Sequence, residues 1–155
     1  MPGRFQDNQL VQPKNGRSIS DQIYWFDEKV DDHCVNIRLI IKTVTFIAMR
    51  LIDIPYRLAC RSKARLTSYP SDSVRYVKHV DNPNPEGRRR RVTAIYYLNP
   101  EWKPRLGTKD GGSLRLFSSN APAGTHFDIE PLADNLVIFW FDSRNLQEVL
   151  PTFAI

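Results

Sequence analysis

The stretch "YVKHVDNPN", residues 76–84, carries an apolar alternation into a histidine and an aspartate two residues apart, and an Asn-Pro pair then ends the pattern. Alternate side chains of a β-strand project from opposite faces, so His79 and Asp81 share a face and stand close enough to hold one ion. Spacing alone leaves two readings open, the metal-binding end of a strand or a strand running into a loop, because short His-x-Asp pairs also arise by chance. The period of two around the pair reaches further. It recurs in "ARLTSY" (64–69), "VRYVKHV" (74–80), "RVTAIYYL" (91–98), "GSLRLFS" (112–118), "NLVIFWF" (135–141) and "EVLPTFA" (148–154), divided by Pro, Gly, Asn and Asp clusters. Many short strands at this spacing predict an antiparallel sandwich or barrel.

Upstream the pattern changes. "QIYWF" is a short apolar strand, and from Val35 onward Ile37, Ile40, Ile41, Val44, Ala48 and Leu51 fall at three- and four-residue steps, one face of an amphipathic helix that ends before Pro55. Core packing accounts for that stripe, and the helix is expected to cover one face of the sheet, giving an α+β class dominated by β. Before it, the polar loop from Val11 to Asp21 contains Pro and Gly and reads as exposed and mobile.

With 155 residues, 41% of them hydrophobic, the chain is long enough for one core, and residues 1–155 read as a single domain. The longest apolar region, Val35 to Ile54, is interrupted by Arg38, Lys42, Arg50 and Asp53, which a hydrocarbon span would not accept. The N-terminus lacks the basic-then-apolar order of a secretory signal, so Cys34 and Cys60 read as reduced thiols of a cytoplasmic or nuclear protein. Four of the five net positive charges are Arg88 to Arg91. Such a local run, with no aromatic residues interleaved to stack bases, reads as a solvated hairpin tip rather than a nucleic-acid surface.

Several motifs then converge. "SYPSDSVRYVKHVDNPN", "IYYLNPEW", "GGSLRLF", "DIEP" and "FWFDSRNLQEV", with "GRFQDNQLV" and "DQIYW" upstream, stand in the order and spacing of the hypoxia-inducible factor prolyl hydroxylases, which this chain resembles from about Gly3 to Ala154. The resemblance implies a double-stranded β-helix, or jelly-roll, that binds Fe(II) at its open end. It implies 2-oxoglutarate and O2 as cosubstrates, ascorbate as reductant, and 4-hydroxylation of a proline in a transcription-factor segment. The enzyme would be a monomer with no nucleic-acid partner. By match to the motif, His79 and Asp81 are iron ligands, and the third ligand position falls at Gln147. Tyr69, Tyr76 and Tyr97 match pocket residues for 2-oxoglutarate, with Leu114, Leu116 and Val149 as the apolar wall. Read by themselves, tyrosine and leucine on strands are ordinary core residues. The loop from Val11 to Asp21 matches the family's mobile substrate loop.

Two departures stand out against the family pattern. Where the family has a histidine in an Asn-Pro-His-Glu-Val setting, this chain reads "NLQEV", and glutamine is a neutral, harder and weaker ligand than imidazole. An arginine that in the family binds the cosubstrate carboxylate should follow "LPTFAI", so the jelly-roll is expected to lack its last strand here. Both departures favour an alternative reading, a noncatalytic relative that keeps the jelly-roll as a peptide- or partner-binding module.

Overall fold

A computed structural model describes residues 5–7, 21–51, 58, 60–69, 75–80, 91–102 and 110–153. Strand β1 (Gln6–Asp7) pairs antiparallel with β2 (Gln22–Phe26), helix α1 spans Val35–Leu51, and β3 (Ala64–Ser68) returns alongside β2. The remaining strands are β4 (Tyr76–His79), β5 (Val92–Tyr96), β6 (Leu114–Ser118), β7 (His126–Ile129), β8 (Leu136–Trp140) and β9 (Asn145–Val149). They form a four-stranded sheet in the order β4-β9-β6-β7 and a two-stranded sheet, β5-β8. These are the strands of a jelly-roll whose sheets do not close on each other. The predicted α+β, mostly β class holds, and among the described residues no helix is long and apolar enough to cross a membrane.

The core lies between the two sheets. On β6 and β9 the pleat turns Leu114, Leu116, Gln147 and Val149 to one face, while Arg115 and Glu148 go to the other and form ion pairs there, Arg115 also bonding Asp128 twice at 2.7 Å. Leu114 and Leu116 pack with Phe139 of β8, and Ile95, Ile129, Val137 and Val149 close around them. Helix α1 begins after a turn whose one buried side chain, Asp31, accepts the Tyr24 hydroxyl at 2.6 Å and the Asp27 backbone N–H at 3.0 Å. The predicted stripe of Ile37, Ile40, Ile41, Val44 and Ala48 does face the strands, but it bounds a cavity of about 300 Å³ against Ala64 and Ala94 rather than a closed core.

One expectation for a strand needs correction, and one strand was not expected. The strand predicted at 148–154 begins earlier and ends at Val149. Pro151 has no N–H to donate, and beyond it the pairing continues only as single bonds, Gly112 N–H to Pro151 O and Phe153 N–H to Asp110 O. Gly111 is required there: its φ is +71°, and a Cβ would overlap the Pro151 carbonyl oxygen. Strand β7, at the "DIEP" motif, lies outside the expected set: its four residues, HFDI, alternate polar and apolar, but the run is short, its Phe127 is exposed and its Asp128 is held by Arg115. The motifs "IYYLNPEW", "DIEP" and "GGSLRLF" meet through side chains. Asn99 Nδ2 donates to Pro131 O at 2.9 Å, and Trp102 Nε1 donates to Gly111 O at 3.4 Å.

Candidate metal centre and cosubstrate pocket

His79 ends β4 directly opposite Gln147 on β9, and Gln147 lies directly opposite Leu116 on β6. One row further along, Tyr76, Val149 and Leu114 stand side by side. Between the rows β4 takes three residues where β9 takes two, so the register shifts as at a β-bulge. The extra residue matters for the site. Tyr76 and His79 are an odd number of positions apart and would face opposite ways in a regular strand, yet their ring centroids lie 4.3 Å apart.

The His79 ring is oriented by its own strand: Nδ1–H donates to Val77 O at 2.8 Å, which makes Nε2 the acceptor. Gln147 Nε2 donates to that atom at 3.3 Å, from a side chain only 7% exposed. A metal-binding histidine typically donates its far N–H to a carboxylate, a carbonyl or water, as Nδ1 does here, and Nε2 is the atom it would offer. Asp81, the second expected ligand, lies outside the described residues, as does the loop expected from Val11, apart from Asp21. Among the described residues, which do not include Asp81, no three His, Cys, Asp or Glu side chains gather to hold a metal; the side chain facing His79 is the amide of Gln147. His126 is no substitute, because it sits on β7, at the other edge of the sheet from β4.

The three expected pocket tyrosines converge. Tyr69 is pushed well above the usual phenol range, first by burial and then by the negative charge of Asp21 and the neighbouring phenols Tyr76 and Tyr97. Burial also pushes Tyr97 up to about 12. Both are therefore neutral hydroxyl groups at any physiological pH, able to donate a hydrogen bond to an anion. Asp21, 2% exposed, was not singled out by its sequence pattern. The signal available was its place in "DQIYW", at the junction between a polar loop and an apolar strand.

The residues present suit a divalent cation: an imidazole nitrogen with its far side anchored, and facing it an amide whose oxygen becomes a donor once the amide turns about its terminal bond. They suit it less well than two imidazoles would. The cavity under α1 is a separate feature, and none of the expected site residues lines it.

Comparison with known proteins places the chain in a family. A family model described as 2OG-Fe(II) oxygenase superfamily matches residues 64–154, from the first residue of β3 to beyond β9. The chain belongs to that superfamily, whose members use Fe(II), 2-oxoglutarate and O2. Within it, the chain is similar to the hypoxia-inducible factor prolyl hydroxylases. It is 40% identical to human prolyl hydroxylase EGLN3 over 161 residues, covering 98% of this chain and 63% of that protein. It is 39% identical to the hypoxia-inducible factor prolyl hydroxylase of Caenorhabditis elegans over 160 residues, covering 97% of this chain and 21% of that protein. The chain thus spans from about a fifth to under two thirds of these relatives. Among solved structures, a Trichoplax adhaerens prolyl hydroxylase in complex with a hypoxia-inducible factor peptide fragment superposes with a TM-score of 0.74 at 31% identity, covering 98% of this chain and 66% of that one. A Pseudomonas putida prolyl-4-hydroxylase gives a TM-score of 0.60 at 27% identity, covering 98% of this chain and 73% of that one.

Proposed function

We propose that this chain is the catalytic part of an Fe(II)- and 2-oxoglutarate-dependent peptidyl-proline 4-hydroxylase of the hypoxia-sensing type. The observation that carries the reading is His79, its Nδ1 anchored on Val77 O and its Nε2 turned to Gln147, at the end of a row that joins β4, β9 and β6. His79, Asp81 and Gln147 would hold the metal, which supplies the power to activate O2 for insertion into a C–H bond. The chain's own residues do the rest. Tyr97 and Tyr69, neutral phenols, donate to the cosubstrate carboxylate; Leu114, Leu116 and Val149 exclude water from the reacting face.

The substrate would be a proline-containing segment of a transcription factor, taken up by a monomer in the cytoplasm or nucleus, with no nucleic acid involved and with ascorbate maintaining the ferrous state. Support comes from the Trichoplax relative, solved in complex with a hypoxia-inducible factor oxygen degradation domain peptide fragment. One observation favours a second reading, a peptide-binding module without turnover: the nitrogen of His79 that would bind iron already accepts the Gln147 amide.

Succinate release and peptide mass, measured with and without a proline-containing peptide, test both readings. Gln147→His is expected to raise peptide-dependent oxygen incorporation by about 10- to 100-fold, the range by which even a residue that only orients a ligand changes activity. Peptide binding with no oxygen transfer by either protein would overturn the hydroxylase reading in favour of the module.

A further inference from the structure

We propose that Gln147 turns the His79 centre into a site weighted toward oxygen donors, so that this chain discriminates far less between Fe(II) and Mn(II) than a two-imidazole site does. The inference rests on His79 and Gln147 being metal ligands, as proposed above. Its basis is the pair itself. Gln147 is nearly inaccessible, stands in register between His79 and Leu116, and has its amide within 3.3 Å of the imidazole nitrogen that a metal would use. A side chain held on both flanks by neighbouring strands has little room to withdraw when a cation enters. The bond between Gln147 and His79 joins two neutral groups, and a divalent charge can displace it. The accessible response is a turn of the amide about its terminal bond, which exchanges Nε2 for Oε1 and presents an oxygen to the ion.

The selectivity follows from donor chemistry. Affinity for first-row divalent ions rises from Mn(II) through Fe(II) and Co(II), and imidazole nitrogen suits the later ions while carbonyl oxygen suits Mn(II). Exchanging one imidazole for an amide oxygen therefore removes more affinity for Fe(II), Co(II) and Zn(II) than for Mn(II). The centre is weakened for all of them and flattened across the series. His126 does not restore the nitrogen donor, because it sits on β7 at the other edge of the sheet from β4.

The test is ion affinity, measured without turnover. Dissociation constants of Mn(II), Fe(II) under anaerobic conditions, Co(II) and Zn(II) are measured for the native chain and for Gln147→His, Gln147→Glu and His79→Ala, by competition with a chromogenic chelator, with circular dichroism as a check of folding. Gln147→His is expected to tighten Fe(II), Co(II) and Zn(II) by about 10- to 100-fold and Mn(II) by no more than about threefold. Gln147→Glu, which keeps the shape and adds charge to the oxygen, should tighten Mn(II) at least as much as Fe(II), so the inference remains testable if the histidine variant folds poorly. An equal gain for all four ions with Gln147→His, or no change at all with Gln147→Glu, overturns the inference while loss of binding in His79→Ala upholds the site. Unchanged binding in His79→Ala overturns the site and the inference together.

Discussion

The two faces of the β5-β8 pair are built differently. Toward β6 and β9, the sheet closes on Leu114, Leu116 and Phe139, and the one polar side chain buried among them, Gln147, has a hydrogen-bond partner. Toward α1, the apolar stripe of the helix leaves a cavity of about 300 Å³. Apolar composition alone therefore does not make a core; register does. Strands opposite one another bring side chains to fixed heights, whereas a helix lying over Ala64 and Ala94 meets side chains too short to fill the gap. The contrast also separates volume from chemistry, since the cavity is on the helix side and the converging polar groups are on the other.

The largest effect that tests this contrast is truncation on each side. Leu114→Ala should cost about 2 to 5 kcal/mol, and Val44→Ala, beside the cavity, about 1 kcal/mol or less, both measured by urea unfolding. Equal costs would show that the helix face is as closed as the other.

A pH series sharpens the comparison, because neighbouring tyrosines of one strand face the two sides. Below about pH 10 a phenol is neutral in both the folded and unfolded chain, and burial of Tyr97 contributes no pH dependence. Above it the unfolded chain ionises first, while folded Tyr97 holds its proton up to about 12. The folded state then binds more protons, and stability falls with rising pH by at most about 1.4 kcal/mol per unit until the folded value is passed. Tyr97→Phe should flatten that loss. Tyr96 is raised as well, by its 2.5 Å bond to Asp134, but it lies in solvent on the cavity side, and Tyr96→Phe should leave the slope nearly as it was.

Enlargement should act in opposite directions on the two faces. Leu116→Phe is expected to destabilise by about 1 to 3 kcal/mol through overpacking, and Ala94→Leu to be neutral or stabilising by up to about 1 kcal/mol as it enters the cavity. A destabilised Ala94→Leu protein would mean that the cavity does not accept side chains. The smallest effect belongs to the outer face of the site sheet. Arg115→Ala should cost under about 1 kcal/mol, and less in high salt, because its pairs with Asp128 and Glu148 lie near solvent.

How legible the molecule was can be judged at particular residues. The alternation in "GSLRLFS" correctly set Leu114 and Leu116 against Arg115, and the three- and four-residue steps after Val35 correctly marked the helix face toward the strands. Both depend only on the period of a local element. Strand β7 was not legible because HFDI is too short a run for its alternation to stand out from a loop, and the strand expected at 148–154 was misplaced because a ladder ends where Pro151 withdraws an N–H.

The sequence by itself determined the β-rich class, the collinear motifs and the presence of Gln147 where the family pattern has a histidine, since residue identity and local period are both written along the chain. Tertiary structure alone decided that His79 and Gln147, 68 residues apart, stand opposite each other. It also decided that a register shift brings Tyr76 onto the face of His79, and that Tyr69, Asp21 and Tyr97 share one buried environment. Strand pairing and burial are properties of what lies across from a residue, and no window along the chain contains that neighbour.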